Sequence, residues 1–189
     1  SLKDPRSIIP LNIHKNTLSD SILSTDIESG KTYIFEYSSG TWRTQKIEGL
    51  SARRSYYGLG FDINDDKIAE YFFSRGDGIY YADFSKNQTS PEIKKIADFG
   101  SSKDSIVTEI KHGDIDGDKE SEIVYSILNE GIYYSKKQKN KWTKHKISSY
   151  PMSYHSLELM DYDRDGQLDL LVGIEYPFNS LQVWHNMGL

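Results

Sequence analysis

Asp161-Tyr162-Asp163-Arg164-Asp165-Gly166-Gln167-Leu168-Asp169 runs directly into Leu170-Leu171-Val172. Carboxylates stand at positions 1, 3, 5 and 9 of this stretch, and Gln167 at position 7 can offer its backbone carbonyl. An oxygen-only set on the concave side of a tight turn suits a hard divalent ion such as Ca2+. The register recurs in Asp114-Ile-Asp116-Gly-Asp118-Lys-Glu120-Ser-Glu122 and in Asp62-Ile-Asn64-Asp-Asp66-Lys-Ile68-Ala-Glu70. An EF-hand opens in the same way, but it closes on a bidentate Glu at position 12 between two helices. Position 12 is here Phe73, Tyr125 and Val172. The residues after position 9 are aromatic, β-branched and aliphatic, which is strand chemistry. The pattern therefore argues against a helix-flanked calcium sensor and for a loop that opens onto a strand. Position 9 then closes the shell, and it is acidic in all three stretches.

The loops belong to a repeat. They start at 62, 114 and 161, so their spacings are 52 and 47 residues. A comparable step back from Asp62 reaches Asn12-Ile-His14-Lys-Asn16-Thr-Leu18-Ser-Asp20, a degenerate copy that keeps only the acid at position 9. Other segments keep the same phase. Gly78-Ile-Tyr-Tyr81 and Gly131-Ile-Tyr-Tyr134 are identical, and Trp42-Arg-Thr-Gln-Lys-Ile47 matches Trp142-Thr-Lys-His-Lys-Ile147 in character. An apolar segment also precedes each loop: Ile8 to Leu11, Tyr56 to Phe61, Ile106 to Ile110 and Ser156 to Met160. Each unit then reads strand A, loop, strand B, strand C, strand D. Four antiparallel strands at this period describe a propeller blade. The expected fold is all-β, a single β-propeller-type repeat domain over 1–189. Its blades are placed at 7–47, 55–98, 105–147 and 154–187, three full blades and a partial fourth that stops after strand C.

These residues resemble the FG-GAP or VCBS repeats of integrin-α-like calcium-binding propellers. The resemblance covers almost the whole chain and rests on the three acidic loops and on Leu170-Leu-Val-Gly173 after the last. It implies that each loop joins strands A and B of a blade and holds a Ca2+, up to three in all. The ligands it implies are Asp62, Asn64, Asp66, the Ile68 carbonyl and Glu70 in the first loop. In the second they are Asp114, Asp116, Asp118, the Glu120 carbonyl and Glu122, and in the third Asp161, Asp163, Asp165, the Gln167 carbonyl and Asp169. Two loops depart from the family in using Glu at position 9, and the literal FG and GAP triplets survive only as Gly60-Phe61 and Gly173-Ile-Glu175. Propellers of this family commonly have seven blades, so three readings stay open: a fragment, a small four-bladed propeller, or a half that self-association with another copy completes.

Composition sets further bounds. The formal net charge of −5 includes eleven carboxylates at loop ligand positions, and three bound Ca2+ would bring it to +1. The acidity is thus better explained by metal than by a cationic partner, and nucleic acid is not the expected partner. No apolar run is long enough to span a bilayer, so membrane insertion is not expected. The absence of cysteine excludes disulfides, thiolate zinc sites and cysteine nucleophiles. Weak calcium loops are most useful where calcium is abundant, so an extracellular, cell-surface or periplasmic location is expected.

Little points to chemistry on a substrate. The histidines, His14, His112, His145, His155 and His185, form no metal-binding His pair, and no nucleophile elbow or phosphate-cradling glycine loop is present. The expected function is a calcium-stabilised, non-catalytic binding or adhesion module that recognises a protein or a glycan. The alternative is the propeller part of a polysaccharide-active lyase or hydrolase, and a third reading is a structural spacer. Arg75-Gly76-Asp77 matches an integrin-binding tripeptide, but Gly76-Asp77-Gly78 is equally the chemistry of a hairpin turn. Most of the Tyr and Trp are read as filling the space between blades; Tyr150, Tyr154 and Tyr176-Pro177-Phe178, read as links or turns, are the candidates to stack on sugars or peptides.

Overall fold

A computed structural model describes residues 5–13, 21–26, 29–52, 55–100, 105–139, 141–176 and 179–188. The degenerate copy of the loop falls almost wholly outside these residues. The described chain is all-β, with four antiparallel sheets and connections only between sequence neighbours. It divides into two compact units, Ser1–Ser105 and Ile106–Leu189.

The first unit holds two four-stranded meanders. One is β1 (Pro5–Pro10), β2 (Ser21–Asp26), β3 (Lys31–Ser38) and β4 (Thr41–Ser51). The other is β5 (Leu59–Phe61), β6 (Glu70–Arg75), β7 (Gly78–Asp83) and β8 (Glu92–Asp98). Their core packs Leu23, Ile34 and Ile47 with Tyr71, Phe73 and Phe84. The Ala69 N–H donates to the Asn12 carbonyl at 2.7 Å, which ties the loop ahead of β6 to the segment that follows β1. In the second unit β9 (Val107–Gly113), β10 (Glu122–Ile127), β11 (Gly131–Gln138) and β12 (Lys141–Ser148) form one sheet. The last sheet has three strands, β13 (Ser153–Met160), β14 (Asp169–Tyr176) and β15 (Ser180–Trp184). Val124 and Ile132 pack there with Tyr154, Leu157, Val172 and Ile174.

The strand that leaves each acidic loop is the most buried. Tyr71, Phe72 and Phe73 of β6 are inaccessible to solvent, as are Ile123, Val124 and Tyr125 of β10. Burial on both faces explains why these segments read as unbroken apolar runs rather than as alternation. β4, by contrast, is largely exposed, and Trp42 stays half in solvent beside Tyr37.

β5 is shorter than the apolar segment 56–61 suggests. Ser55 takes over the missing ladder positions: its hydroxyl donates to the Tyr57 carbonyl at 2.9 Å and accepts the Ser74 N–H at 3.1 Å. The twin Gly-Ile-Tyr-Tyr segments also acquire a reason. Each glycine opens its third strand against the end of the fourth, beside a register shift. A Cβ on Gly78 would lie 2.2 Å from the Ala97 carbonyl oxygen, and one on Gly131 only 2.0 Å from that of Ser148. Gly131 also has φ of +145°, which side chains rarely adopt. Replacing it with alanine (Gly131→Ala) should cost roughly 1–3 kcal/mol through overpacking and backbone strain. Urea unfolding measures this, and a cost below about 0.5 kcal/mol would contradict the close approach.

Candidate metal centres

The three acidic loops share one hydrogen-bonded scaffold. The position 1 carboxylate accepts the N–H of position 6: Lys67 to Asp62 at 2.8 Å, Lys119 to Asp114 at 2.8 Å and Gly166 to Asp161 at 3.1 Å. The position 5 carboxylate accepts the N–H of position 7: Ile68 to Asp66 at 2.8 Å, Glu120 to Asp118 at 2.9 Å and Gln167 to Asp165 at 2.8 Å. Position 9 reaches back to the N–H of position 2: Ile63 to Glu70 at 3.0 Å, Ile115 to Glu122 at 3.0 Å and Tyr162 to Asp169 at 2.9 Å.

The backbone repeats as closely. Positions 4 and 6 are left-handed in every loop, as Asp65 and Lys67, Gly117 and Lys119, Arg164 and Gly166. A lysine in that region costs on the order of 1 kcal/mol or more and persists where surrounding bonds fix it. The N–H groups of Lys67 and Lys119 are fixed in this way by the carboxylates of position 1.

The loops differ in how their acids gather. Oxygens of Asp114, Asp116 and Glu122 lie within 4.8 Å of one another, and so do those of Asp161, Asp163 and Asp165. Asp62, Asp66 and Glu70 form no such group among the described residues; instead the Asn64 amide donates to Glu70 Oε1 at 2.7 Å. Burial also differs. Glu122 is inaccessible to solvent, and its Oε1 has no hydrogen-bond partner; nor has the buried Oδ1 of Asp116. Unpaired carboxylate oxygens away from water are costly, and either a proton or a bound cation relieves them. The residues of 114–122 therefore fit a divalent ion. In the last loop Asp169 is equally buried, but both its oxygens are taken, one by Tyr162 and the other by the Asn186 N–H at 2.8 Å.

Titration follows these surroundings. Burial pushes the Glu122 carboxyl up to about 7, with the charges of Asp116 and Asp118 acting the same way against the Ile115 N–H and Lys136. Burial likewise raises Glu70 to about 7, helped by Asp83 and Asp62. The Asn186 N–H, together with Tyr162 N–H and His185, holds Asp169 below its ordinary value.

A further position was hidden from the sequence reading. One step beyond the pairs Tyr71–Ala82, Ile123–Ser135 and Leu170–Trp184, the residue across from position 9 is Asp83, Lys136 and His185 respectively. Lys136 is ion-paired with Asp116 and, at 2.7 Å, with Asp118. His185 Nδ1 lies 3.2 Å from Asp163 and 3.7 Å from Asp169, and these three side chains form a third group able to hold a metal. Asp83 instead accepts from Lys94 at 3.3 Å and adds negative charge near Glu70. Only strand pairing brings these three residues to one position, because they stand at unequal distances from position 9 in the sequence.

Other candidates are committed elsewhere. The Arg75 guanidinium donates to the Ser51 carbonyl at 2.9 Å and lies over the ring of Tyr80, and Asp77 accepts from Tyr80 at 2.8 Å and Lys95 at 3.1 Å. Arg75-Gly76-Asp77 is thus a surface hairpin turn whose two charged side chains are engaged by intramolecular contacts. His145 stacks on Tyr134, and His155 faces Glu175 at 2.8 Å. His14, Pro177 and Phe178 lie outside the described residues. Tyr154, expected in a link, is a buried residue of β13 whose hydroxyl donates to the Tyr150 carbonyl at 3.1 Å, whereas Tyr150 and Tyr176 are exposed. No family model matches the chain, and no curated protein matches it.

Glu122 gives a pH test of the metal-free protein. Its folded pKa lies above the ordinary value of 4.5, so the folded state binds the proton more tightly. The associated stability is present below 4.5 and is lost as pH rises through about 7. Relative to Glu122→Gln, the chelated wild type should therefore melt lower at pH 8 than at pH 5. A difference in melting temperature that stays constant across this range would refute the assignment.

Proposed function

We propose that this chain is a calcium-stabilised, non-catalytic binding module of the FG-GAP or VCBS type. Its four sheets are blades of one propeller-type domain, and the three acidic loops hold Ca2+ between the first and second strands of their blades. The observation that carries this reading is the common scaffold of the loops, together with the unpartnered buried oxygens of Asp116 and Glu122. Calcium takes six to eight oxygen ligands and tolerates irregular geometry, so five loop positions supplemented by water suffice. When bound, the ion supplies positive charge to a crowded acidic turn. The chain's own residues supply the turn and the strand it launches.

The module reading draws support from aromatic and apolar surfaces besides the acidic clusters. Trp42 and Tyr37 form an exposed aromatic pair 5.2 Å apart in the first unit. In the second, a cleft of about 340 Å3 is lined by Ile115, Leu168, Trp184 and Met187. Aromatic and apolar surfaces of this kind suit a protein or glycan ligand. Among the described residues no helix is long and apolar enough to cross a membrane. An exported setting accords with loops that fill at extracellular calcium levels.

Calcium-dependent melting tests the proposal directly. Filling even one loop at a hundredfold excess over Kd adds about 2.7 kcal/mol, so the melting temperature should rise by about 5 °C or more over the chelated protein. Asp161→Ala combined with Asp165→Ala should remove the share due to the last loop and leave the others. An unchanged melting temperature, with no calcium taken up, would sink the metal reading. A glycan array followed by a product assay separates the module from the enzyme: binding without turnover is expected, and turnover would overturn the non-catalytic reading.

A further inference from the structure

The loop at 114–122 carries a cation of its own. Its position 9 acid, Glu122, faces Lys136 on the neighbouring strand of the hairpin. Lys136 is mostly covered, with 15% of its side chain exposed, and its ammonium pairs with Asp116 and Asp118, two of the loop's ligand positions. The remaining Asp116 oxygen, Oδ1, and Glu122 Oε1 stay buried and unpartnered on the same cluster. A single ammonium thus satisfies part of the acidic shell and leaves part of it empty. The facing residue is an acid in the loop at 62–70 and an imidazole in the loop at 161–169, so this arrangement is particular to one site.

We propose that Lys136 is a tethered cation that competes with the divalent ion for the loop at 114–122. This rests on the calcium reading above and specifies how one of its sites is regulated. Without metal, the ammonium neutralises Asp116 and Asp118 and holds the loop in its folded shape. With metal, the ammonium must give up at least one of these carboxylates or remain beside a doubly charged ion, and either lowers the affinity. The lysine therefore trades calcium affinity for order in the metal-free state.

Opposite signs in two measurements make this testable on the full chain. Lys136→Met keeps the aliphatic stem and removes the charge. In calorimetric titration with calcium chloride, one binding step should tighten by about tenfold or more, about 1.4 kcal/mol. In chelator, the same variant should melt a few degrees below wild type, since Asp116 and Asp118 have lost their counter-ion beside the buried Glu122. Lys136→Arg, which keeps the charge, should show neither change, and Lys136→Gln should repeat both effects of the methionine. Calcium uptake with equal affinity by wild type and Lys136→Met would overturn this proposal alone. Failure of both to take up calcium would overturn the calcium reading and this proposal with it. Unchanged melting in chelator would show that the ammonium does not hold the loop.

Discussion

The bond from the N–H of position 2 to the carboxylate of position 9 is the constraint on which the rest depends. It closes each loop on itself, as Ile63 to Glu70, Ile115 to Glu122 and Tyr162 to Asp169. Position 9 is also the first residue of β6, β10 and β14. One carboxylate therefore ends the turn and starts the most buried strand. The price is a buried acid, and the three loops meet it differently. Asp169 has both oxygens bonded, Glu70 has Asn64, and Glu122 keeps one oxygen without a partner.

Much of this was legible in the sequence because the repeat is written in charge. Acids at fixed offsets, each followed by an apolar run, marked the loops and the strands that follow them. The runs proved unbroken because β6 and β10 are covered on both faces. The identical Gly-Ile-Tyr-Tyr segments marked the third strand, although the reason for the glycine appeared only in the approach of Ala97 and Ser148 carbonyls. The facing residues were not legible. Asp83, Lys136 and His185 follow position 9 by 13, 14 and 16 residues, because the hairpin turns differ in length. A fixed-offset comparison cannot align them, whereas strand pairing does so at once. The shortness of β5 was hidden too, since it depends on one serine hydroxyl replacing ladder bonds.

The carboxylates of each loop do two jobs at once. Some oxygens bind backbone N–H groups and shape the turn; others are left to a cation, the proposed Ca2+ or, at Asp116 and Asp118, the Lys136 ammonium. The first job needs no metal, which is why loops with different charge share one backbone. The second depends on what lies across the hairpin. Ligand geometry and net charge are thereby set by different strands.

The scaffold of each loop is also strictly local. Its bonds run between residues two, five and seven apart in the sequence. Across the acidic turns the strand pairs run from residues nine apart, Gly113 and Glu122, to residues twenty apart, Val107 and Ile127, and the wider pairings lose more chain entropy before contacts compensate. Loops that close over seven residues can form before the strands on either side have paired. They would then fix the register of their own hairpins in advance, so that the three sheets that carry an acidic turn can zip from it rather than from their apolar centres. An element first noticed as a cradle for an ion becomes, in the time domain, the point from which its sheet is assembled.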